Sequence, residues 1–166
     1  MRYLIVYRSK YGTTEKCACM LRDRLGGKTD LWDLKEKKKI SPEDYDCVII
    51  GGPIYGGSLH PDVLRFCTKY RTSLENQEVA LFICCLFGEE KARRQLDSAF
   101  PGWLALRAFT RRSLGGELKL KSLSLLDRFT IRRLTGRREN KSTLRLDAVD
   151  ELANTVDLYF SGKKGR

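Results

Sequence analysis

The sequence predicts an α/β fold: a doubly wound, five-stranded parallel sheet with helices on both faces. Three observations predict it. Apolar runs of strand length alternate with helix-periodic patterns along the chain. The runs at 47–50 and 79–86 are continuously apolar, as strands buried on both faces are. The segments after the first, third and fourth strands are unusually polar or glycine-rich, so the odd loops gather on one edge of the sheet. The 166 residues suffice for one domain with a real core. They are read as a single domain, 1–166, with a basic, leucine-rich excursion at about 117–140.

The first strand, about 2–8, holds the run Tyr3-Leu4-Ile5-Val6-Tyr7. A helix follows at about 13–25, with Cys17, Met20, Leu21 and Leu25 at helical spacing and Gly26-Gly27 as its C-cap. A short second strand covers 29–33, followed by a lysine-rich surface stretch. Ser41-Pro42-Glu43-Asp44 reads as a turn or a single helical turn, with Ser41 as N-cap and Pro42 at the first position. The third strand is 47–50. Residues 51–58 hold four glycines and a proline, and are read as a loop that turns sharply or approaches something closely. Pro61 and Asp62 open the next helix. The central fourth strand, 79–86, precedes a charged helix to about residue 100. The fifth strand is placed at 105–112, broken by Gly115-Gly116. A closing helix at 144–160 carries Leu146, Val149, Leu152, Ala153, Val156 and Phe160 at helical spacing, and the tail from 162 is expected to fray.

Charge and cysteine narrow the function classes. The net charge is +11, and 107–141 carries eleven basic residues against three acidic ones. One-sided charge implies an anionic partner: lipid headgroups, an acidic protein, nucleic acid or a polycarboxylate. No helix-turn-helix, zinc or RNP pattern supports nucleic acid, which is not expected as a partner. The six cysteines (Cys17, Cys19, Cys47, Cys67, Cys84 and Cys85) form no C-x-x-C pair and no metal-ligand array. Most read as reduced, buried small hydrophobes; Cys84-Cys85 is the exception, because it ends a strand near the proposed site, and no metal is expected. No apolar run reaches bilayer-crossing length, and the N-terminus enters a strand at once without a signal-peptide pattern. The expected location is the cytosol, with peripheral contact on the inner face of a membrane as the variant.

The chemistry centres on Arg8-Ser9-Lys10-Tyr11-Gly12-Thr13-Thr14. This strand-to-helix turn offers backbone N–H groups at a helix N-terminus together with the hydroxyls of Ser9, Thr13 and Thr14, a set suited to phosphate. The alternative is an ordinary loop with Thr13 or Thr14 as N-cap. In open α/β sheets the ligand lies beyond the strand C-termini at the switch point, here between the first and third strands. His60, the one histidine, is either a proton donor or a local cap before Pro61. In the excursion, Leu125, Leu126 and Phe129 share a helical face, and Arg128 and Arg132 stand one turn apart beside Arg133. Such a basic amphipathic helix suits an anionic membrane surface, or simply packs its leucines on the sheet.

The three loops together resemble a flavodoxin-like FMN domain. Flavodoxin is itself the standing example of the switch-point rule, and the likeness implies strand order 2-1-3-4-5 and FMN as cofactor. Ser9, Gly12, Thr13 and Thr14 match the family's phosphate loop, with Lys10 and Tyr11 between them. Gly52, Pro53, Tyr55 and Gly56 match the loop that lies against the isoalloxazine, with Ile54 and Gly57 beside them. Cys85, Leu86, Phe87, Gly88 and Glu89 stand where the second ring-contacting loop belongs. Arg8 and Lys10 would add charge at the phosphate. Within the family the chain most resembles menaquinone-dependent protoporphyrinogen dehydrogenase of heme biosynthesis and its flavodoxin-domain relatives. The likeness runs over most of the chain and includes Ser113-Leu114-Gly115-Gly116-Glu117-Leu118 and Leu125-Leu126-Asp127-Arg128-Phe129-Thr130-Ile131-Arg132. It implies an oxidoreductase with a quinone or other redox partner and a porphyrin substrate, whose propionates would meet Arg128, Arg132 and Arg133. The alternative is a flavodoxin-type electron carrier, although such carriers are usually acidic. A phospho-receiver domain of the same topology is set aside, because Arg8 and Ser9 stand where it needs aspartates.

Overall fold

The computed structural model describes residues 1–36, 40–118, 133 and 140–164. Five strands form the parallel sheet: β1 (Arg2–Tyr7), β2 (Lys28–Asp33), β3 (Cys47–Tyr55), β5 (Glu78–Cys84) and β6 (Thr110–Ser113). Their spatial order is β2-β1-β3-β5-β6, with β4 (Ser58–Leu59) folded back antiparallel on β3. This is the 2-1-3-4-5 order expected, once the small added strand is set aside.

Alternation along β1 builds the two layers. Tyr3, Ile5 and Tyr7 face α1 (Thr13–Arg24) and the last helix, α6 (Leu146–Lys164), packing with Cys17, Leu21, Val149, Leu152 and Val156. Leu4 and Val6 point to the opposite layer, with Val63 and Phe66 of α2 (Pro61–Lys69), Leu74 of α3 (Arg71–Glu75), Leu96 of α4 (Glu89–Ala99) and Leu104 of α5 (Gly102–Arg107). Both layers bury their residues almost completely, so the sheet is rigid and its carboxyl edge is a fixed platform.

Four boundaries differ from the sequence reading. Residues 51–53, expected in a loop, continue β3: Gly51, Gly52 and Pro53 pair with Phe82, Ile83 and Cys84. The glycines are there for space. A Cβ on Gly51 would overlap the Phe82 ring, and one on Gly52 would stand 2.9 Å from Leu59 and 3.0 Å from Val63. Residues 105–112, expected as one strand, divide into the end of α5 and the strand β6. Pro101 is the N-cap of α5, and Ala105 N–H bonds back to its carbonyl at 3.0 Å, so the alanine-rich piece is helical. Helix α1 ends at Leu25 in extended geometry, without a left-handed glycine cap; Gly26 instead donates its N–H to Asp157 at 2.9 Å. Helix α6 starts at Leu146 and continues through Gly162 to Lys164, with Lys163 paired to Glu78. Ser41 and Pro42 do open a single 3₁₀ turn, Pro42–Asp44.

The excursion begins with β7 (Glu117–Leu118), which pairs antiparallel with β8 (Lys141–Ser142). Arg128 and Arg132 lie outside the described residues, as does most of the leucine-bearing segment. Arg133 is described and exposed.

Candidate functional site

The loops after β1, β3 and β5 meet at the carboxyl edge of the sheet. In the first, Gly12 takes a left-handed φ of +87° and serves as N-cap of α1. It has no side chain to cap the helix, so the first N–H groups of α1 receive no side-chain cap. Ser9 Oγ accepts the Gly12 N–H at 3.0 Å and closes the turn. Thr13 and Thr14 are therefore the first helical residues and neither is the N-cap. Thr13 Oγ1 reaches the Glu117 carbonyl at 3.4 Å. Thr14 is buried, its hydroxyl engaged with the Cys84 sulfur, and Cys84 Sγ also donates to Cys17 Sγ at 3.6 Å. Thr14 is thus placed to offer its main chain, not its hydroxyl.

Arg8 does something other than add charge at this loop. Its Nε donates to Asp62 Oδ2 at 2.9 Å, its Nη1 lies 3.9 Å from Asp33 Oδ1, and Nη1 also donates to the Ser9 carbonyl at 2.5 Å. Two carboxylates neutralise it, so it ties the ends of β1 and β2 and the start of α2 together under the loop. Asp62 further pairs with Arg65. His60 is the N-cap of α2: its Nδ1 accepts the Asp62 N–H at 3.2 Å. Burial chiefly holds the imidazole below its usual pKa, with Asp62 opposing and Arg8, Arg65 and Lys10 adding to the effect. The ring is therefore neutral and acts as an acceptor.

The second loop turns at Gly56 and Gly57, both at positive φ (+57° and +84°), which makes the two-residue turn from β3 into β4. Tyr55, 40% exposed, meets Tyr11 of the first loop edge-on, with centroids 6.0 Å apart and planes at 85°. Lys10 Nζ sits 5.1 Å over the Tyr11 ring. Pro53 is buried in β3 and Ile54 is half-buried, so of the expected ring-facing group Tyr55, Gly56 and Gly57 are the exposed members. In the third loop Cys85 is buried, its N–H donating to the Gly115 carbonyl at 3.0 Å and its sulfur 3.5 Å from Ser113 Oγ. Leu86 and Phe87 are half-buried and Gly88 begins α4, with Glu89 exposed and 3.0 Å from Arg145.

The donor set and the space agree with a phosphate-bearing aromatic group. Among the described residues, and apart from each glycine and its chain neighbours, no atom lies within 4 Å of where a Cβ on Gly12, Gly56, Gly57 or Gly88 would stand. The three loops thus surround an open edge floored by an uncapped helix N-terminus and walled by Tyr11 and Tyr55. Residues 4–144 match the Flavodoxin domain family. The chain belongs to that family. Flavodoxin domains take FMN at this switch point.

Solved structures of similar fold include rubredoxin oxygen:oxidoreductase from Desulfovibrio gigas, with 17% identity and a TM-score of 0.58 over 99% of this chain and 37% of that one. The Flv1 flavodiiron core from Synechocystis sp. PCC6803 shares 13% identity at a TM-score of 0.53, over 96% of this chain and 36% of that one. The flavodiiron protein of Giardia intestinalis gives 15% and 0.51, covering 95% and 36%. At these identities the likeness is one of fold, and the chain spans little more than a third of the length of these relatives. No curated protein matches the chain.

Sequence reasoning missed the acidic anchors. Asp62 had one local signal, an acidic residue in the first turn of a helix just after the glycine loop. Asp33 and Glu117 had none, because each meets the first loop only through the fold; Glu117 Oε1 holds Lys16 Nζ at 2.8 Å.

Proposed function

We propose that this chain is an FMN-dependent oxidoreductase of flavodoxin type, in which the phosphate loop 9–14 holds the FMN phosphate and the loops 53–57 and 85–89 border the ring. The observation that carries this reading is the open edge on which three glycine-bearing loops converge above the uncapped start of α1. FMN would supply electron transfer, the redox chemistry no side chain here provides. The protein's part is to bind, orient and shield. The N–H groups at the start of α1, with Ser9 and Thr13, would take the phosphate dianion. Tyr55, steadied by Tyr11, would pack on the ring, and the backbone of Gly56 and Gly57 would lie beside it. Arg8, Asp33 and Asp62 would hold the loop in shape from beneath.

The test is a titration of flavin-free protein with FMN, read by quenching of flavin fluorescence. One-to-one saturable uptake is expected, with at least tenfold weaker binding in Gly12→Val, where a β-branched residue meets a φ of +87°. Absence of uptake by the unaltered chain would overturn the reading.

The finer reading is a dehydrogenase of the protoporphyrinogen type, passing electrons from a porphyrinogen to a quinone at an anionic membrane surface. The strings at 113–118 and 125–132 support it, together with the +11 charge, which suits propionates or anionic lipid better than an electron carrier's usual partners. The contacts of Glu117 with Thr13 and Lys16 favour it too, since they start the excursion beside the phosphate loop. FMN-loaded protein given protoporphyrinogen and a menaquinone analogue without oxygen is expected to produce porphyrin fluorescence that requires both flavin and quinone. A flat trace from flavin-loaded protein would leave the electron-carrier reading.

A further inference from the structure

A concavity borders the third loop, between Phe87, Gly88 and Glu89 at the start of α4, the end of β6 and the segment leading into α6. Its volume is about 420 Å³, within the range of small-molecule sites, roughly 300–1,000 Å³. Phe87 and Ala92 give it an apolar wall, while Ser113, Thr143, Glu89, Arg93 and Arg145 supply the polar groups.

Most of those polar groups are already engaged. Arg145 is held by Glu89 at 3.0 Å and Asp147 at 2.9 Å. Thr143 Oγ1 serves the N–H and carbonyl of Gly116 at 3.2 and 3.3 Å. Arg93 is different. It is exposed on the cleft wall and has no hydrogen bond or ion pair among the described residues. The acids nearest it in sequence are taken: Glu89 pairs with Arg145 at 3.0 Å, Glu90 with Arg94 at 2.6 Å and Asp97 with Arg111 at 3.4 Å. Lys91 Nζ lies 4.3 Å from the centroid of the Phe87 ring. The cleft therefore combines an aromatic and aliphatic wall with one unpaired guanidinium, Arg93, while its one carboxylate, Glu89, is held by Arg145.

We propose that this cleft is a binding site for a small aromatic carboxylate, with its ring against Phe87 and Ala92 and its carboxylate on the Arg93 guanidinium. A guanidinium meets a carboxylate in a two-pronged, charge-assisted geometry that neither water nor a neutral ligand reproduces. The cleft shares Phe87, Gly88 and Glu89 with the loop proposed to border the flavin, so flavin-free protein serves for its test.

Naphthoate is the probe, titrated calorimetrically into the full chain. One saturable site is expected. Arg93→Ala weakens it at least about tenfold, the worth of one charge-assisted contact, and neutral naphthylmethanol binds correspondingly worse than naphthoate. Arg94→Ala, whose side chain pairs with Glu90, leaves binding unchanged. Gly88→Trp, built into open space at the cleft mouth, blocks it; Arg93 lies on the surface, so its variant folds even if that one does not. No saturable binding, or equal affinity in Arg93→Ala, overturns the proposal. Weakened naphthoate binding in Gly12→Val, which alters the phosphate loop and does not line the cleft, also overturns it, because the probe would then occupy the flavin loops.

Discussion

Asp62 shows how much one carboxylate organises here. It accepts from Arg8, pairs with Arg65 and offers its N–H to His60. Its side chain and that of Arg8 are about four-fifths buried, so loss of either strands a poorly solvated charge. Arg8→Met is expected to cost about 1–2 kcal/mol, less than a fully buried pair because some water remains. It should also weaken FMN binding several-fold, since Ser9 loses its anchor; urea unfolding and FMN titration measure the two effects. His60 gives a pH signature. Its folded pKa lies below the usual 6.5, so the unfolded chain takes up the proton more readily. The stability this cap contributes is fully present above about 6.5 and is lost as pH falls through the lowered folded value. His60→Asn keeps an acceptor at the N-cap without titrating. The urea midpoint of the unaltered chain should fall more between pH 7 and 5 than that of His60→Asn, and parallel curves would refute the assignment. The His60 cap was legible, because it is local to the Pro61 start of its helix; the Arg8–Asp62 pair was not, because its members are 54 residues apart and ion pairing leaves no periodic trace.

Whole elements were more legible, where hydrophobic period and punctuation agree. The alternation in β1, the apolar run of β5 and the Pro61 start of α2 were each readable because a local rule and the tertiary need coincide. Strand β3 was misread past Ile50 because glycine and proline signal a break, whereas here the glycines make room for Phe82, Leu59 and Val63. The α5–β6 boundary was misread because 105–108 has no clear period. A stability test follows from β3. Gly51→Ala should destabilise the chain by about 1–3 kcal/mol through overpacking. Phe82→Leu, itself destabilising, should make the same alanine markedly cheaper in a double-mutant cycle. Additive costs would show that the two residues do not share the space.

At the scale of the molecule, the three-loop edge was legible because each loop breaks its element's pattern at the same end of the sheet. The side-chain anchors beneath it, and the cleft beyond the third loop, were not. No helix among the described residues is long and apolar enough to cross a membrane. The cysteines bear out their reading as core residues. Five of the six are buried, leaving Cys19 partly accessible. Burial pushes the Cys67 thiol up to about 12 and that of Cys47 further still. Dithionitrobenzoate should therefore label about one thiol per folded chain and six after denaturation. Rapid labelling of several thiols under native conditions would contradict the packing described. The Gly51–Phe82 fit has a further consequence. A parallel pair carries evenly spaced bonds that look alike at every step, so hydrogen bonding alone leaves β3 free to settle two residues too high or too low against β5. Only one setting lays the Phe82 ring over a residue with no side chain; the others drive it into Ile49 or Pro53. That single size match levels the ends of β3 and β5, and with them the heights at which Tyr55 and Phe87 emerge. A residue well inside the sheet thereby sets how evenly the binding edge stands.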